Sequence, residues 1–276
     1  MTGTAPVLGR AVRRSAPLGG GAARVELADG RTVVVKDGPS AAAEAAGLAW
    51  LAVRGGPRVP EVLGRDGDRL VTAHVPAGRP SAEAAAELGR RLAVLHGAGA
   101  PAFGAGPPDA PDAAWIGRAP MTNVTGRDWA PWYAEQRMRP YLRTARDAGD
   151  LTGAEAAVVE QVRARLPELA GPPEPPSRLH GDLWNGNVLW APDGAWLIDP
   201  AAHGGHRETD LAMLALFGCP HLATVLAAYD EAAPLAAGWR DRVPLHQLFP
   251  LLVHVALFGR GYAGQVVAAA RAALGG

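Results

Sequence analysis

The chain has 276 residues, 48% hydrophobic and 20% charged, a composition typical of a globular protein with one domain or two lobes. Its 27 basic residues equal its 27 acidic residues, so we expect no nucleic-acid partner and no attraction to an anionic membrane. A single cysteine, Cys219, excludes an intramolecular disulfide framework. No secretory signal and no membrane-spanning stretch is visible, which predicts a cytoplasmic protein.

The first seventy-odd residues predict a small β-rich lobe with one helix. Four short extended runs are predicted strands: 23–27, 31–36, 59–63 and 69–74. Asp29-Gly30 is a good hairpin turn between the first two, and Ser40 can cap the helix that follows them. Upstream, the run Gly19, Gly20 and Gly21 predicts a flexible loop. We therefore expect residues 1–76 to form an N-terminal lobe.

Residues 77–276 have a mainly helical pattern and predict a larger C-terminal lobe. Helices are predicted at 81–96, 127–148, from 152, and at 208–217, 221–232, 245–257 and up to about 274. Residues 101–120 are rich in Gly, Pro and Ala and predict a long irregular loop. A hairpin of 188–190 with 196–198 is expected after the loop 180–187. The predicted fold class is α+β with two lobes.

The densest group of polar residues is the run His180-Gly181-Asp182-Leu183-Trp184-Asn185-Gly186-Asn187, followed by Asp199 after the predicted hairpin. Phosphoryl transfer needs a carboxylate that accepts the proton of the attacking hydroxyl and oxygen ligands for the Mg²⁺ on the nucleotide. Asp182 and Asn187 can supply the base and one metal ligand, and Asp199 a second ligand. Two of the three asparagines in the chain lie in this loop, which argues against a purely structural role.

Lys36 is the only lysine in a chain that is otherwise rich in arginine. It ends a valine-rich predicted strand, and Glu44 follows eight residues later on the next predicted helix. This order matches a lysine that contacts nucleotide phosphates and is held by a helix glutamate. The glycine run lies upstream, where a phosphate-covering loop belongs. These elements together predict an ATP-dependent phosphotransferase.

In these residues, the chain resembles the fructosamine kinase (ketosamine-3-kinase) family. This family has the protein-kinase-like fold, as do the aminoglycoside phosphotransferases. The shared part is His180-Gly181-Asp182 with Asn187 and Asp199. More specific are Trp184 and the run 198–214, and residues 134–140 and 250–262 also look like this family. The resemblance implies a two-lobed kinase-like fold and the use of ATP and Mg²⁺. It also implies phosphorylation of a sugar hydroxyl on a small-molecule ketosamine or other glycated amine.

By matching position, the resemblance implies that Asp182 is the base and that Asn187 and Asp199 bind Mg²⁺. It implies that Lys36, paired with Glu44, holds phosphate.

Trp184 is a candidate stacking surface for the sugar or its amine-bearing part, with possible cation–π attraction. His206 and Arg207 are candidate substrate contacts, or else they brace the helix that starts near Glu208.

Two other functions stay open at this stage. The first is phosphorylation of an aminoglycoside or another small hydroxyl compound, against which the neutral net charge is mild evidence. The second is a non-catalytic nucleotide-binding scaffold, which the complete set of predicted catalytic residues disfavours.

Overall fold

An antiparallel five-stranded sheet in the order β1-β2-β3-β5-β4 forms the first part of the computed structural model, which describes residues 7–275. Its strands are β1 (Val12–Gly19), β2 (Ala22–Leu27), β3 (Thr32–Asp37), β4 (Val62–Asp66) and β5 (Arg69–Ala73). Ala22 is the register partner of Lys36. The glycine turn between β1 and β2 therefore lies beside the end of β3 that carries Lys36.

Helix α1 (Ala41–Leu51) connects this sheet to the rest of the molecule. Its buried Leu48 packs with Leu70 of β5, whereas Leu51 belongs to the core cluster of the C-terminal part. Ser40 precedes the helix as predicted, but its side chain forms no capping hydrogen bond. A Cβ atom on Gly47 would lie 3.1 Å from Pro200 Cγ, so α1 approaches the segment around Asp199 closely.

The C-terminal part is mainly helical. Its α-helices are α2 (Ala82–Gly97), α3 (Trp129–Trp132), α4 (Arg139–Asp147), α5 (Gly153–Leu169), α6 (Arg207–Leu216), α7 (Leu222–Ala232), α8 (Trp239–Phe258) and α9 (Ala263–Ala273). Three two-stranded sheets accompany them: β6 (Ala114–Ile116) with β7 (Ala119–Met121), β8 (Ser177–Leu179) with β11 (His203–Gly205), and β9 (Val188–Ala191) with β10 (Gly194–Leu197). The α+β prediction is confirmed. None of the helices within residues 7–275 is long and apolar enough to cross a membrane.

Several predicted boundaries were wrong for identifiable reasons. The predicted loop 101–120 contains β6 and the start of β7, which are only three residues long each, and β7 contains a proline. The predicted helix 127–148 is interrupted by a π-helical segment, Tyr133–Met138. Helix α8 begins at Trp239 and contains two prolines. Pro250 has no N–H to donate to the carbonyl of His246, and that carbonyl instead accepts a hydrogen bond of 3.2 Å from the Tyr133 hydroxyl.

Candidate active site

The loop between β8 and β9 brings Asp182 and Asn187 into contact. The Asn187 side-chain amide donates to the Asp182 backbone carbonyl (2.8 Å) and to its carboxylate (3.1 Å). A short 3₁₀ turn, Asn185–Asn187, produces this approach. Because the amide nitrogen is used in these bonds, the Asn187 carbonyl oxygen is left as the end that can bind an external ligand.

Asp210, on the first turn of α6, holds the start of this loop. Its two carboxylate oxygens accept hydrogen bonds from the backbone N–H groups of His180 (2.8 Å) and Gly181 (2.9 Å). His96 of α2 contacts the same carboxylate at 3.1 Å and is itself 2.8 Å from the Tyr229 hydroxyl. Asp210 is 1% exposed, so its charge is stabilised by these bonds rather than by water.

The environment of Asp182 suits a general base near neutral pH. Burial of its carboxyl group raises the pKa to about 7, and the charge of Asp210 adds to this rise, whereas the hydrogen bond from Asn187 opposes it. A general base is most effective when its pKa lies near the working pH.

Asp199, Lys36 and Glu44 meet at the boundary between the sheet and the C-terminal part. The Lys36 ammonium lies 2.6 Å from the Glu44 carboxylate and also contacts the Asp199 carboxylate. Asp199 follows β10 and has a left-handed backbone with φ 56°, which is uncommon outside glycine and recurs at functional sites. His180 supports this turn because its Nε2 lies 2.9 Å from the Ile198 carbonyl.

The glycine run forms the turn between β1 and β2. Gly19, Gly20 and Gly21 all have positive φ (94°, 60° and 84°), a conformation that other residues adopt at a cost. Gly19 and Gly20 line the central cavity, whereas the Gly21 carbonyl accepts a hydrogen bond from the Asp37 backbone N–H.

A cavity of about 620 Å³ joins these elements. It is lined by Gly19, Gly20, Lys36, Glu44, Asp182, Asn187 and Asp199 at one side and by Trp184 further along. Sequence reasoning missed another wall of the cavity, which comes from β6, the β6–β7 turn and α8: Trp115, Ile116, Gly117, Arg118, Pro250, Val253, His254, Leu257 and Phe258. Only the resemblance of residues 250–262 to the family pointed towards it.

The structure places His206 and Arg207 outside this cavity, which corrects their candidate role as substrate contacts. His206 is buried at the N-cap of α6 and its ring lies 5.0 Å from that of Trp129. Arg207 forms an ion pair with Glu174 at 2.6 Å and donates to the Pro234 carbonyl at 2.8 Å. These contacts match the bracing alternative, because both side chains are used in packing around the start of α6.

The buried acid next to them is also part of the scaffold. His206, Glu208 and His246 lie close enough together to suggest a metal site. However, the Arg242 guanidinium contacts both Glu208 oxygens at 2.5 and 2.9 Å. Despite the opposing effect of burial, hydrogen bonds from His246 and Arg242 lower the pKa of Glu208 to about 2. Its negative charge is therefore already neutralised by a cation of the chain.

The site combines a glycine turn, a strand lysine paired with a helix glutamate, and a loop that carries Asp and Asn ahead of a second Asp. These features define a phosphotransferase of the protein-kinase-like class. At the level of fold, the chain matches the structure of a thermostable mutant of aminoglycoside phosphotransferase APH(4)-Ia with a TM-score of 0.64 and 17% identity, covering 96% of this chain and 97% of that one.

The family model described as fructosamine kinase matches residues 37–274, and the chain belongs to that family. It is 36% identical over 206 residues to the probable ketoamine kinase YniA of Escherichia coli K12, covering 73% of this chain and 69% of that protein. A protein of Thermobifida fusca assigned as a fructosamine-3-kinase has a solved structure with 52% identity and a TM-score of 0.89, covering 97% of this chain and 96% of that one. The chain is thus an ATP-dependent phosphotransferase, as the sequence predicted.

Proposed function

We propose that the protein transfers the γ-phosphoryl group of ATP to a sugar hydroxyl of a ketosamine. The observation that carries this proposal is the contact between Asp182 and Asn187, which line the same cavity as Lys36 and Asp199. It is supported by family membership and by the names of the relatives, which are ketoamine kinases. We further propose that residues 1–76 bind the nucleotide and that residues 77–276 carry the catalytic and acceptor groups.

Asp182 is proposed as the general base. With a pKa near 7 its carboxylate can accept the proton of the attacking hydroxyl as the oxygen approaches the γ-phosphorus. Asn187 orients that carboxylate through its amide. Lys36 would neutralise charge on the nucleotide phosphates, with Glu44 fixing the position of its ammonium.

The residues present fit a magnesium ion. Asn187 offers a carbonyl oxygen and Asp199 a carboxylate, which are the oxygen ligands that Mg²⁺ prefers. Asp199 faces the cavity with 46% of its side chain exposed, and only Lys36 contacts its carboxylate as an ion-pair partner among residues 7–275. When bound, the ion would neutralise negative charge on the phosphate groups of the nucleotide. We therefore propose Asn187 and Asp199 as the metal-binding residues.

The proposal is tested with Mg-ATP and a panel of fructosamines, ribulosamines and aminoglycosides, with transfer followed by mass spectrometry of the acceptor. We expect phosphorylated ketosamines from the wild type. In Asp182→Asn we expect a rate lower by about 10²–10⁴-fold, because the variant lacks a proton acceptor, with little change in ATP affinity. Phosphorylation of aminoglycosides alone would disprove the ketosamine assignment, and near-normal turnover of Asp182→Asn would disprove the assignment of the base.

A further inference from the structure

One end of the cavity has a wall of aromatic side chains, which we call the aromatic wall and define as Trp184, Phe217, His254 and Phe258. Trp184 meets Phe217 edge-on with ring centroids 6.1 Å apart. Phe217 lies 4.8 Å from His254, and His254 lies 5.5 Å from Phe258. The wall therefore runs without interruption from the catalytic loop to the C-terminal end of α8. Trp184, His254 and Phe258 line the cavity, and Phe217 connects Trp184 with His254 outside its lining.

Three of the four members of the aromatic wall are large apolar side chains that are nevertheless exposed. Trp184, Phe217 and Phe258 are 38%, 36% and 54% exposed, and they are the exposed large aromatic side chains of residues 7–275. Exposed apolar side chains that form a contiguous patch commonly mark a binding surface. Because Trp184 lies on the same loop as Asp182, this patch begins next to the proposed base.

The Trp184 ring lies directly against Gly186. A Cβ atom on Gly186 would collide with the six-membered ring of Trp184, so the indole covers the loop backbone at this position. The ring is thereby fixed against the loop, and its exposed surface is left for a ligand.

His254 offers a neutral hydrogen-bond acceptor within the wall. Its Nδ1 lies 2.7 Å from the Pro250 carbonyl, which can only accept, so Nδ1 carries the hydrogen and Nε2 is the acceptor. Burial lowers the pKa of the imidazole, which favours this neutral form.

Arg118 provides a cation at the same end of the cavity. It lies on the β6–β7 turn, which reaches the end of α8, since a Cβ atom on Gly117 would lie 3.9 Å from Leu257 Cδ1. Arg118 is exposed and has no hydrogen bond or ion pair with the other described residues.

The acids that line the cavity already have partners. Asp37 pairs with Arg69, Glu44 and Asp199 contact Lys36, and Asp182 accepts from Asn187. Among the described residues that line the cavity, Arg118 therefore has a positive charge without a partner, whereas each carboxylate already has one. This arrangement disfavours a polycationic acceptor and favours one that combines an apolar group with an anion.

We propose that this end of the cavity binds the substituent on the amine of the ketosamine, and that it selects ketosamines of free amino acids with an aromatic or large apolar side chain. The side chain of the amino acid would lie on the aromatic wall, and its carboxylate would pair with Arg118. This inference rests on the proposed function, because it assigns the amine-bearing part of the same acceptor. An adduct on a protein lysine lacks the free carboxylate and is the poorer substrate.

The test measures kcat/KM for three adducts of one sugar: fructosyl-phenylalanine, fructosyl-phenethylamine, which lacks the carboxylate, and fructosyl-glycine, which lacks the ring. We expect the first to exceed each of the others by about tenfold, as charge-assisted and aromatic contacts in a cleft predict. In Arg118→Ala the ratio of phenylalanine to phenethylamine adduct falls about tenfold. In Phe258→Ala the ratio of phenylalanine to glycine adduct falls by about fivefold.

Arg143→Ala is the matched control, because Arg143 is an exposed arginine on α4, away from the cavity. It removes the same charge and is expected to leave both ratios unchanged. Ratios near one in a wild type that phosphorylates ketosamines would overturn this inference and leave the proposed function intact. An equal loss on all three adducts in Arg118→Ala would also overturn it, because the guanidinium would then act on the nucleotide. If no ketosamine is phosphorylated, the proposed function fails and this inference fails with it.

Discussion

Asp182 is the residue whose chemistry is most dependent on its surroundings. Because burial raises its pKa to about 7, the group is largely protonated below that pH and cannot accept a proton. We expect kcat/KM to fall about tenfold per pH unit below 7 and to level off above it. Saturating Mg²⁺ keeps the nucleotide in one form, and the affinity for Mg-ATP, measured separately across the same range, is the control. A profile that is flat between pH 5 and 8 would contradict the role of Asp182.

The same residue makes a prediction about stability that does not need a substrate. A carboxyl group whose pKa is raised on folding binds protons more tightly in the folded state, so its contribution to stability decreases as pH rises from about 4 to 7. Asp182→Asn removes this charge and should raise the melting temperature at pH 8 by at least about 2 °C. The difference should largely disappear near pH 4, where the wild-type carboxyl group is protonated in the folded state and about half protonated in the unfolded state. An equal difference at both pH values would show that the effect does not come from ionisation.

At the scale of elements, α6 carries two buried acids with separate functions. Asp210 holds the catalytic loop through the N–H groups of His180 and Gly181, whereas Glu208 pairs with Arg242 of α8. Both Asp210→Asn and Glu208→Gln should lower the free energy of unfolding by about 3 kcal/mol, since each weakens a buried charged contact. Only Asp210→Asn should also lower kcat, by about tenfold or more, because the loop that carries Asp182 loses its support.

Urea denaturation and steady-state kinetics on both variants separate these effects. Glu208→Gln is the matched control, because it perturbs the same helix without touching the loop. If the two variants lose equal activity per unit of lost stability, α6 acts only as a structural helix and the positioning role of Asp210 is wrong.

The elements also show what the sequence could and could not predict. The five polar residues of the site were predicted from their order along the chain. The structure brings all of them to one cavity: Lys36, Glu44, Asp182, Asn187 and Asp199. Order was sufficient because local strands and turns position each of them. Arg118 and Phe258 were not predicted as cavity residues, since their approach depends on how the β6–β7 turn packs on α8, which no local pattern encodes. The bonds of Asp210 to a loop some thirty residues earlier likewise depend on tertiary packing, which no local pattern encodes.

Across the whole molecule, several contacts connect residues 7–76 with the helical part, and two of them differ in kind. At one, the Arg58 carbonyl accepts a hydrogen bond of 2.8 Å from the Leu197 N–H. At the other, Lys36 of β3 contacts Asp199, which follows β10. The first connection is made by backbone atoms, whereas the second depends on one side chain. Lys36 therefore links the nucleotide-binding and catalytic halves that we propose. The size and geometry of its cationic group should affect both nucleotide binding and catalysis.

The composition of the chain makes this dependence testable by a single substitution. All basic residues other than Lys36 are arginine or histidine, so a lysine here suggests that a guanidinium is not equivalent. Lys36 is 19% exposed and its ammonium lies 2.6 Å from Glu44, which leaves little room for the larger planar group. We expect Lys36→Arg to fold normally, as judged by its melting temperature. Its kcat/KM for Mg-ATP should fall about 100-fold, because a charge misplaced by about 1 Å costs about this much in rate. Arg165→Lys, an exposed exchange in the opposite direction on α5, is the control and should leave activity unchanged. Near-normal activity of Lys36→Arg would mean that any cation serves at this position and that the lone lysine carries no functional information.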